Sequence, residues 1–272
     1  MTVWVVTGTG TGVGKTVTAA ALAACGLRAG RRVAVVKPVQ TGVGPDEPGD
    51  LAEVRRLTGL ADLHEFARYP EPLAPATAAR RVGEPGPDAD ELAGRIAGLA
   101  DRDLVIVEGA GGALVRLNDR AETLGTLATA LRRRLGDRVR VLLVTGSALG
   151  SLHDAAATAA VLRGQSLDPD ALVVGDWPAA PGLAEWCNLT DLADYAGAPV
   201  AGVLPHGAGE LAVPAFAELA VARLGPALGG RFDAAGFVRQ HAAPLPAGSP
   251  SGSAAGSPLG SPAGSPSGIP AG

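Results

Sequence analysis

The sequence has few aromatic residues, only two cysteines and no excess of positive charge. Aromatic residues make up 3% of the 272 residues, so a platform for stacking nucleobases is not expected. The net charge of −4 also argues against a nucleic-acid surface. Cys25 and Cys187 are far apart and, like the four histidines, show no metal-binding spacing, so we expect two reduced thiols.

Long apolar runs are absent as well. No basic region precedes the short apolar run at the N-terminus, which therefore indicates a strand rather than a signal peptide. No stretch is long and apolar enough to span a membrane. Hydrophobic residues nevertheless make up 47% of the chain, enough for a substantial core. These features predict a cytoplasmic protein without nucleic-acid or membrane partners.

Lysine is the scarcest charged residue. It occurs only at Lys15 and Lys37, whereas the other 21 basic residues are arginine. An ammonium is a compact point charge on a flexible stem, which suits a crowded phosphate site better than a guanidinium does. We therefore treat both lysines as candidates for chemistry.

The stretch 3–18, with the sequence VWVVTGTGTGVGKTVT, predicts a strand, a glycine-rich turn and a helix. Glycine lets successive backbone N–H groups point at one anion, and a helix N-terminus adds further donors. The common phosphate-binding loop has four residues between its glycines, but Gly8 and Gly14 are separated by five. In this pattern Lys15 binds the outer phosphates and the hydroxyl of Thr16 binds Mg²⁺.

Lys37 ends a second apolar segment. Residues 31–37 predict a buried parallel strand that ends at Lys37 and is followed by Pro38. Ligands of open parallel sheets bind outside the carboxyl ends of the strands. Lys37 is therefore predicted to lie on the same edge of the sheet as Lys15.

Two acidic residues are candidate metal ligands. Asp50 begins a predicted helix, and its position fits a helix N-cap and a Mg²⁺ ligand equally well. Glu108 follows the apolar strand 104–107 and precedes glycines, the position at which an acid holds Mg²⁺ in P-loop NTPases. Ser151 is predicted to cap a further helix after the turn 146–150, whose amides suit an anion.

Strand and helix patterns alternate along residues 1–241. This alternation predicts one α/β domain with a doubly wound, mostly parallel sheet, helices on both faces and a P-loop NTPase-like architecture. Residues 65–87 are too rich in Pro and Ala to assign. Residues 242–272 contain mostly Ala, Gly, Ser and Pro without charge, which predicts a disordered tail.

Six segments together resemble the dethiobiotin synthetase family, ATP-dependent enzymes of biotin synthesis. They are VTGTGTGVGKT (6–16), KPVQTG (37–42), DLAEV (50–54), VEGAGG (107–112), LGSL (149–152) and APGL (180–183), and the resemblance spans about residues 1–228. It implies that 7,8-diaminopelargonate and CO₂ form a carbamate, which ATP converts into a carbamic-phosphate anhydride before the ureido ring closes. It also implies Mg²⁺ and a homodimer.

The resemblance assigns the chemistry to five residues. Lys37 and Lys15 are the implied catalytic residues, with Lys37 stabilising the transition state of phosphoryl transfer. Thr16, Asp50 and Glu108 are the implied metal ligands, which favours the metal-binding alternative for Asp50.

The resemblance also implies contacts with the diamine and the nucleotide. Thr11 and Thr41 contact the diamine or its carbamate, and the turn containing Gly150 and Leu152 receives the distant carboxylate across the dimer interface. The implied nucleotide-binding residues are Gly12, Val13, Gly14, Lys15, Thr16, Val17, Asp50, Glu108, Gly109, Ala110, Gly111, Gly175, Asp176, Pro205, His206 and Gly207.

Some positions of this chain depart from the pattern of the family. Many dethiobiotin synthetases carry Asn in the base-binding loop where this chain has Gly175-Asp176-Trp177, which leaves the choice of nucleotide base open.

Other members of the same ATPase superfamily are the alternative functions: a partition-type nucleotide switch and a corrin amide synthase-like enzyme. The first would carry a third lysine early in the P-loop, and the second would need a glutamine amidotransferase domain.

Overall fold

The computed structural model describes residues 1–241, and the predicted tail lies outside the described residues. Seven parallel strands form one sheet. The strands are β1 (Thr2–Gly8), β2 (Val33–Thr41), β3 (Leu63–Tyr69), β4 (Leu104–Glu108), β5 (Val139–Thr145), β6 (Ala171–Trp177) and β7 (Val200–Pro205). Their order across the sheet is β3-β2-β4-β1-β5-β6-β7.

Helices connect the strands and cover both faces, which confirms the predicted doubly wound α/β fold. The α-helices of the described residues are α1 (Lys15–Arg28), α2 (Asp50–Thr58), α3 (Pro75–Arg81), α4 (Ala89–Ala97), α5 (Leu124–Leu135), α6 (Ser151–Gly164), α7 (Leu183–Ala196), α8 (Val213–Arg223) and α9 (Ala234–His241). Within residues 1–241, none of these helices has the length and apolar character needed to cross a membrane.

The two faces of β1 pack against different helices. Trp4 and Val6 join the buried side chains of α1, α2 and α8, whereas Val3 and Val5 join those of α4 and α5. This division follows from the alternation of side chains along a strand. Full burial of one large side chain, such as Phe216 on α8, contributes about 1.5 to 3 kcal/mol. The buried layers on both faces therefore hold the central strands firmly in register.

The strand order places three loops at one edge of the sheet. β1 pairs with β4 on one side and β5 on the other, and β2 pairs with β4 and β3. All strands run parallel, so the loops that follow β1, β2 and β4 leave the sheet at the same edge. In doubly wound sheets this edge is where ligands bind.

β2 is longer than the sequence predicted. It continues past Lys37 to Thr41, because β3 pairs with it along this whole stretch. The pairing with β4 ends at Val36, so from there β2 has a neighbour on one side only. A strand with one open side tolerates Pro38, which lacks an amide hydrogen. The sequence pattern predicted that the strand ends at Lys37, before the proline, which is four residues too early.

Both predicted helix caps are wrong. Gly49 and Gly150 hold the N-cap positions of α2 and α6, and neither cap has a side-chain hydrogen bond. Asp50 and Ser151 are instead the first residues of these helices. Gly150 has φ 99°, a conformation that strains residues with a side chain, so the turn requires glycine at this position. The unassigned residues 65–87 contribute most of β3 and all of α3.

Candidate active site

The loop after β1 has the geometry of a phosphate cradle. Gly12 and Gly14 have φ 78° and 92°, conformations that glycine adopts without strain. Lys15 begins α1, and its Nζ donates to the carbonyl oxygen of Gly10 at 2.6 Å. No side chain caps α1, so the amides of its first turn are available to an anion.

A cavity of about 570 Å³ opens beside this loop. Both lysines of the chain line it, together with residues from the loops after β2 and β4. The residues singled out from the sequence that line the cavity are Thr11, Gly12, Gly14, Lys15, Thr16, Val17, Lys37, Thr41, Asp50, Glu108, Ala110 and Gly111. The structure thus brings together every predicted catalytic and metal-binding residue and both threonines predicted to contact the diamine.

Lys37 is buried among oxygen atoms, with 3% of it exposed. Its Nζ donates to Glu108 Oε1 at 2.9 Å and to the carbonyl oxygen of Gly109 at 3.1 Å, and it forms an ion pair with Asp50. Burial opposes the charge, but the carboxylates of Glu108 and Asp50 outweigh it and raise the pKa of Lys37 above its ordinary value. Lys37 is therefore a positively charged ammonium group that its neighbours hold in one position.

Lys15 faces the same group of charges. Burial lowers the pKa of Lys15, and the positive charge of Lys37 lowers it further, while Glu108 and Asp50 act in the opposite direction. An additional anion in the cavity would stabilise both ammonium groups. The site is therefore suited to ligands that carry several negative charges.

The oxygen donors around Glu108 fit a magnesium ion. Glu108 is 1% exposed, and its Oε1 accepts hydrogen bonds from Thr16 Oγ1 at 2.7 Å and from Lys37. Its Oε2 is buried without a hydrogen-bond partner, and burial raises the pKa of this carboxyl group. A cation would satisfy that oxygen.

Thr16, Asp50 and Glu108 supply the hard oxygen ligands that Mg²⁺ prefers. Within residues 1–241 no group of three or more His, Cys, Asp and Glu side chains is suited to a metal ion. A metal held by these three residues would therefore also need oxygens from phosphate or water, as is usual for Mg²⁺ at nucleotide sites.

The residues predicted to contact the nucleotide base do not line this cavity. Gly175 packs against the backbone of the P-loop, where an added Cβ would lie 2.2 Å from the carbonyl oxygen of Val13. Asp176, predicted to lie in a loop, belongs instead to the end of β6, which meets the loop after β7: the backbone N–H of His206 donates to Trp177 O at 2.7 Å, and His206 Nδ1 lies 2.9 Å from Asp176 Oδ1. Pro205 ends β7, and Gly207, two residues further on, has φ 77°.

Replacing Gly175 with alanine is expected to displace the P-loop. The new Cβ would lie within 2.2 Å of Val13 O and 2.7 Å of Val144 Cγ1, so backbone must move. We expect unfolding to become easier by about 1 to 3 kcal/mol and nucleotide affinity to fall. Chemical denaturation and calorimetric titration with ATP measure the two effects. Gly94→Ala on α4, where nothing lies within 4 Å of the added Cβ, is the control and should keep wild-type affinity.

The turn before α6 is also separate from the cavity. Gly150 and Leu152 do not line it, and Leu149 between β5 and α6 is 89% exposed. Asn188 on α7 anchors the turn, since its Nδ2 donates to the carbonyl oxygens of Ser147 at 2.9 Å and Ala148 at 3.0 Å. Within the described residues, the predicted substrate contacts Gly150 and Leu152 are therefore not part of the cavity.

Sequence reasoning missed one polar lining residue and an apolar wall. The polar residue is Gln40, which follows Lys37 within the KPVQTG segment. The wall consists of Pro72, Leu73, Ala74, Pro75 and Val115. The closely spaced prolines of the unassigned region were a signal for a rigid turn, but nothing local showed that it faces the P-loop.

Comparisons with known proteins found a matching family model, similar curated proteins and structural neighbours. A family model for an AAA domain matches residues 2–212. The ATP-dependent dethiobiotin synthetase BioD of Frankia casuarinae is 57% identical over 238 residues, which cover 87% of this chain and 98% of that protein. The BioD protein of Streptomyces coelicolor is 50% identical over 242 residues, covering 89% of this chain and 99% of the relative. A solved MinC:MinD cell division protein complex from Aquifex aeolicus shows a TM-score of 0.48 at 14% identity, covering 76% of this chain and 82% of that one.

The matches to these relatives extend over almost their whole length, at 98% and 99%. The chain belongs to the family of ATP-dependent dethiobiotin synthetases, which are ligases that form carbon–nitrogen bonds.

Proposed function

We propose that this protein makes dethiobiotin from 7,8-diaminopelargonate and CO₂ at the expense of ATP. One observation carries the proposal: Lys15 and Lys37 line a single cavity between the P-loop and two carboxylates. The names of the relatives support the same reaction.

The reaction has three steps. An amine nitrogen of the diamine attacks CO₂, forms a carbon–nitrogen bond and loses a proton, which gives a carbamate. A carbamate oxygen then attacks the γ-phosphorus of ATP, and ADP leaves with the electrons of the broken phosphorus–oxygen bond. The second amine attacks the carbamoyl carbon of this anhydride, phosphate leaves, and loss of a proton completes the ureido ring.

The second step brings two anions together. Two unit charges 4 Å apart repel by about 4 kcal/mol at the effective dielectric constant of a protein surface. In our proposal Lys37 stabilises the charge that develops as the phosphoryl group transfers, while Lys15 and the first amides of α1 bind the outer phosphates. Both lysines are fixed by neighbouring oxygens before the reactants arrive.

Thr16, Asp50 and Glu108 are the residues that we propose hold Mg²⁺. When bound, the ion supplies positive charge to the phosphate oxygens. The unpartnered Oε2 of Glu108 and the hydroxyl of Thr16 beside Oε1 support this assignment.

The diamine would lie in the part of the cavity that offers both hydroxyl groups and apolar side chains. Thr11 and Thr41 offer hydroxyl groups to its amines or carbamate, and the apolar side chains of Leu73 and Val115 suit its methylene chain. We further propose a homodimer in the cytoplasm, in which the turn containing Gly150 and Leu152 of the partner receives the carboxylate. Leu149 in this turn is exposed and therefore accessible to a partner.

The nucleotide base would lie between the loops after β6 and β7. We assign Val13, whose carbonyl oxygen faces Gly175, and Val17 on α1, which lies near Gly209, to the same nucleotide site. Gly109, the residue after β4, is also assigned to it. The end of β6 contributes Gly175 and Asp176 to the proposed nucleotide site, and the end of β7 with the following loop contributes Pro205, His206 and Gly207.

The experiment that tests the function supplies purified protein with the diamine, bicarbonate, Mg²⁺ and ATP. We expect dethiobiotin by mass spectrometry and one ADP released for each ring formed. ATP turnover that does not depend on the diamine, without a ureido product, would contradict the proposal and favour a nucleotide switch.

A further inference from the structure

Gln40 is a buried polar residue that the proposed reaction does not use. It lies on β2 with 4% of it exposed, and it lines the cavity three residues after Lys37. Both polar atoms of its side chain are engaged: Oε1 accepts from the backbone N–H of Asp50 at 2.9 Å, and Nε2 donates to the carbonyl oxygen of Thr41 at 3.1 Å. One side chain thus ties the end of β2 to the start of α2.

The first amide of α2 relies on this contact because the N-cap residue of the helix makes no side-chain hydrogen bond. Gly49 is the N-cap residue and has no side chain to accept a hydrogen bond from the first turn. The amide oxygen of Gln40 takes that role from a neighbouring strand. Gly49 also leaves room for Gln40, since an added Cβ would lie 2.7 Å from its Oε1.

Asp50 needs such support more than the other proposed ligands do. Glu108 is buried at the end of a central strand, whereas the side chain of Asp50 is 35% exposed and follows the loop 42–49. The position of its carboxylate beside Lys37 is set by the placement of the first turn of α2.

We propose that Gln40 is a positioning residue, which holds the carboxylate of Asp50 against Lys37 at the site for Mg²⁺ and phosphate. This inference rests on the proposed function, in which Asp50 is a metal ligand. Residues that orient the ligands of a metal commonly change metal affinity or activity by about 10- to 100-fold when they are replaced.

The test is Gln40→Met, which keeps the size of the side chain and removes both hydrogen bonds. We expect the gain in ATP affinity that Mg²⁺ provides, measured by calorimetry with Mg²⁺ and with EDTA, to fall by about 10- to 100-fold. ATP affinity in EDTA should stay within about twofold of wild type. Gly49→Ala, which pushes Gln40 aside without removing its amide, should change affinity in the same direction and carries the test if Gln40→Met does not fold.

A double-mutant cycle with Asp50→Ala separates positioning from general loosening. Asp50→Ala keeps the backbone N–H that Gln40 binds but removes the carboxylate. If Gln40 acts through Asp50, Gln40→Met should cost no further Mg²⁺-dependent affinity or kcat in the Asp50→Ala protein. Equal losses in both backgrounds would overturn the inference.

Arg68→Met is the matched control for the loop. Arg68 donates to the carbonyl oxygens of Gly44 and Glu47 at 2.8 Å each, so its loss loosens the same loop without touching Asp50. We expect wild-type dependence on Mg²⁺ in this variant, and a loss equal to that of Gln40→Met would overturn the inference. An Asp50→Ala protein with undiminished Mg²⁺ dependence would instead contradict the metal assignment in the proposed function.

Discussion

Lys37→Arg is expected to lower kcat/KM for the diamine by about 100- to 1000-fold while the protein stays folded. The substitution keeps the positive charge but replaces a compact ammonium with a larger planar group. Lys37 Nζ fits among Glu108, Asp50 and Gly109 O in a position that is 3% exposed, so a guanidinium cannot place its charge at the same point. Steady-state kinetics with the diamine measure the effect, and circular dichroism with a thermal melt reports the fold.

Arg32→Lys is the control for this experiment. Arg32 directly precedes β2, at the end of the strand opposite to the cavity, and forms an exposed ion pair with Asp103. Exchange of the cation there should leave kcat/KM within about twofold of wild type, because exposed ion pairs contribute little. Normal turnover by Lys37→Arg would remove Lys37 from the proposed mechanism.

Glu108→Gln is expected to weaken the Mg²⁺-dependent binding of ATP by about 10- to 100-fold and to lower kcat. The change removes a negative charge from the proposed metal site and puts an amide on a group whose Oε1 serves both Thr16 and Lys37. Lys37 would also lose one of the two carboxylates that raise its pKa. Calorimetry with Mg²⁺ and with EDTA separates loss of the metal effect from loss of the fold.

Glu65→Gln makes the same chemical change at a position next to Lys37 in the sheet. Glu65 on β3 is the register partner of Lys37, but its carboxylate binds Arg68 and does not line the cavity. This variant should bind Mg²⁺ and ATP as wild type does. If Glu108→Gln behaves like Glu65→Gln, Glu108 does not hold the metal.

The strongest sequence signals were local in nature. The glycines of the P-loop predicted a tight turn because φ values of 78° and 92° strain other residues, and both Gly12 and Gly14 adopt them. The apolar runs predicted the parallel strands, since strands covered on both faces need continuous hydrophobic sequence. These two signals placed Lys15 and Lys37 on the same edge of the sheet.

Features that depend on contact with a second strand or helix could not be predicted from the sequence. The length of β2 beyond Pro38 depends on pairing with β3, which fell in the unassigned residues 65–87. The helix cap predicted at Asp50 failed because Gly49 holds the N-cap position and the carboxylate of Asp50 pairs with Lys37, which lies on another element. The apolar wall at Leu73 and Val115 likewise joins two regions that lie far apart in the sequence.

By itself the sequence determined the parallel sheet, the phosphate cradle and the edge at which two lysines lie, because glycine geometry and apolar periodicity act over a few residues. Only the tertiary structure decided what each lysine contacts. Lys37 and Glu108 are 71 residues apart in the chain, and they meet because β2 packs beside β4. A buried ammonium is stable only beside oxygens that the fold brings to it, so the partners of Lys37 follow from packing.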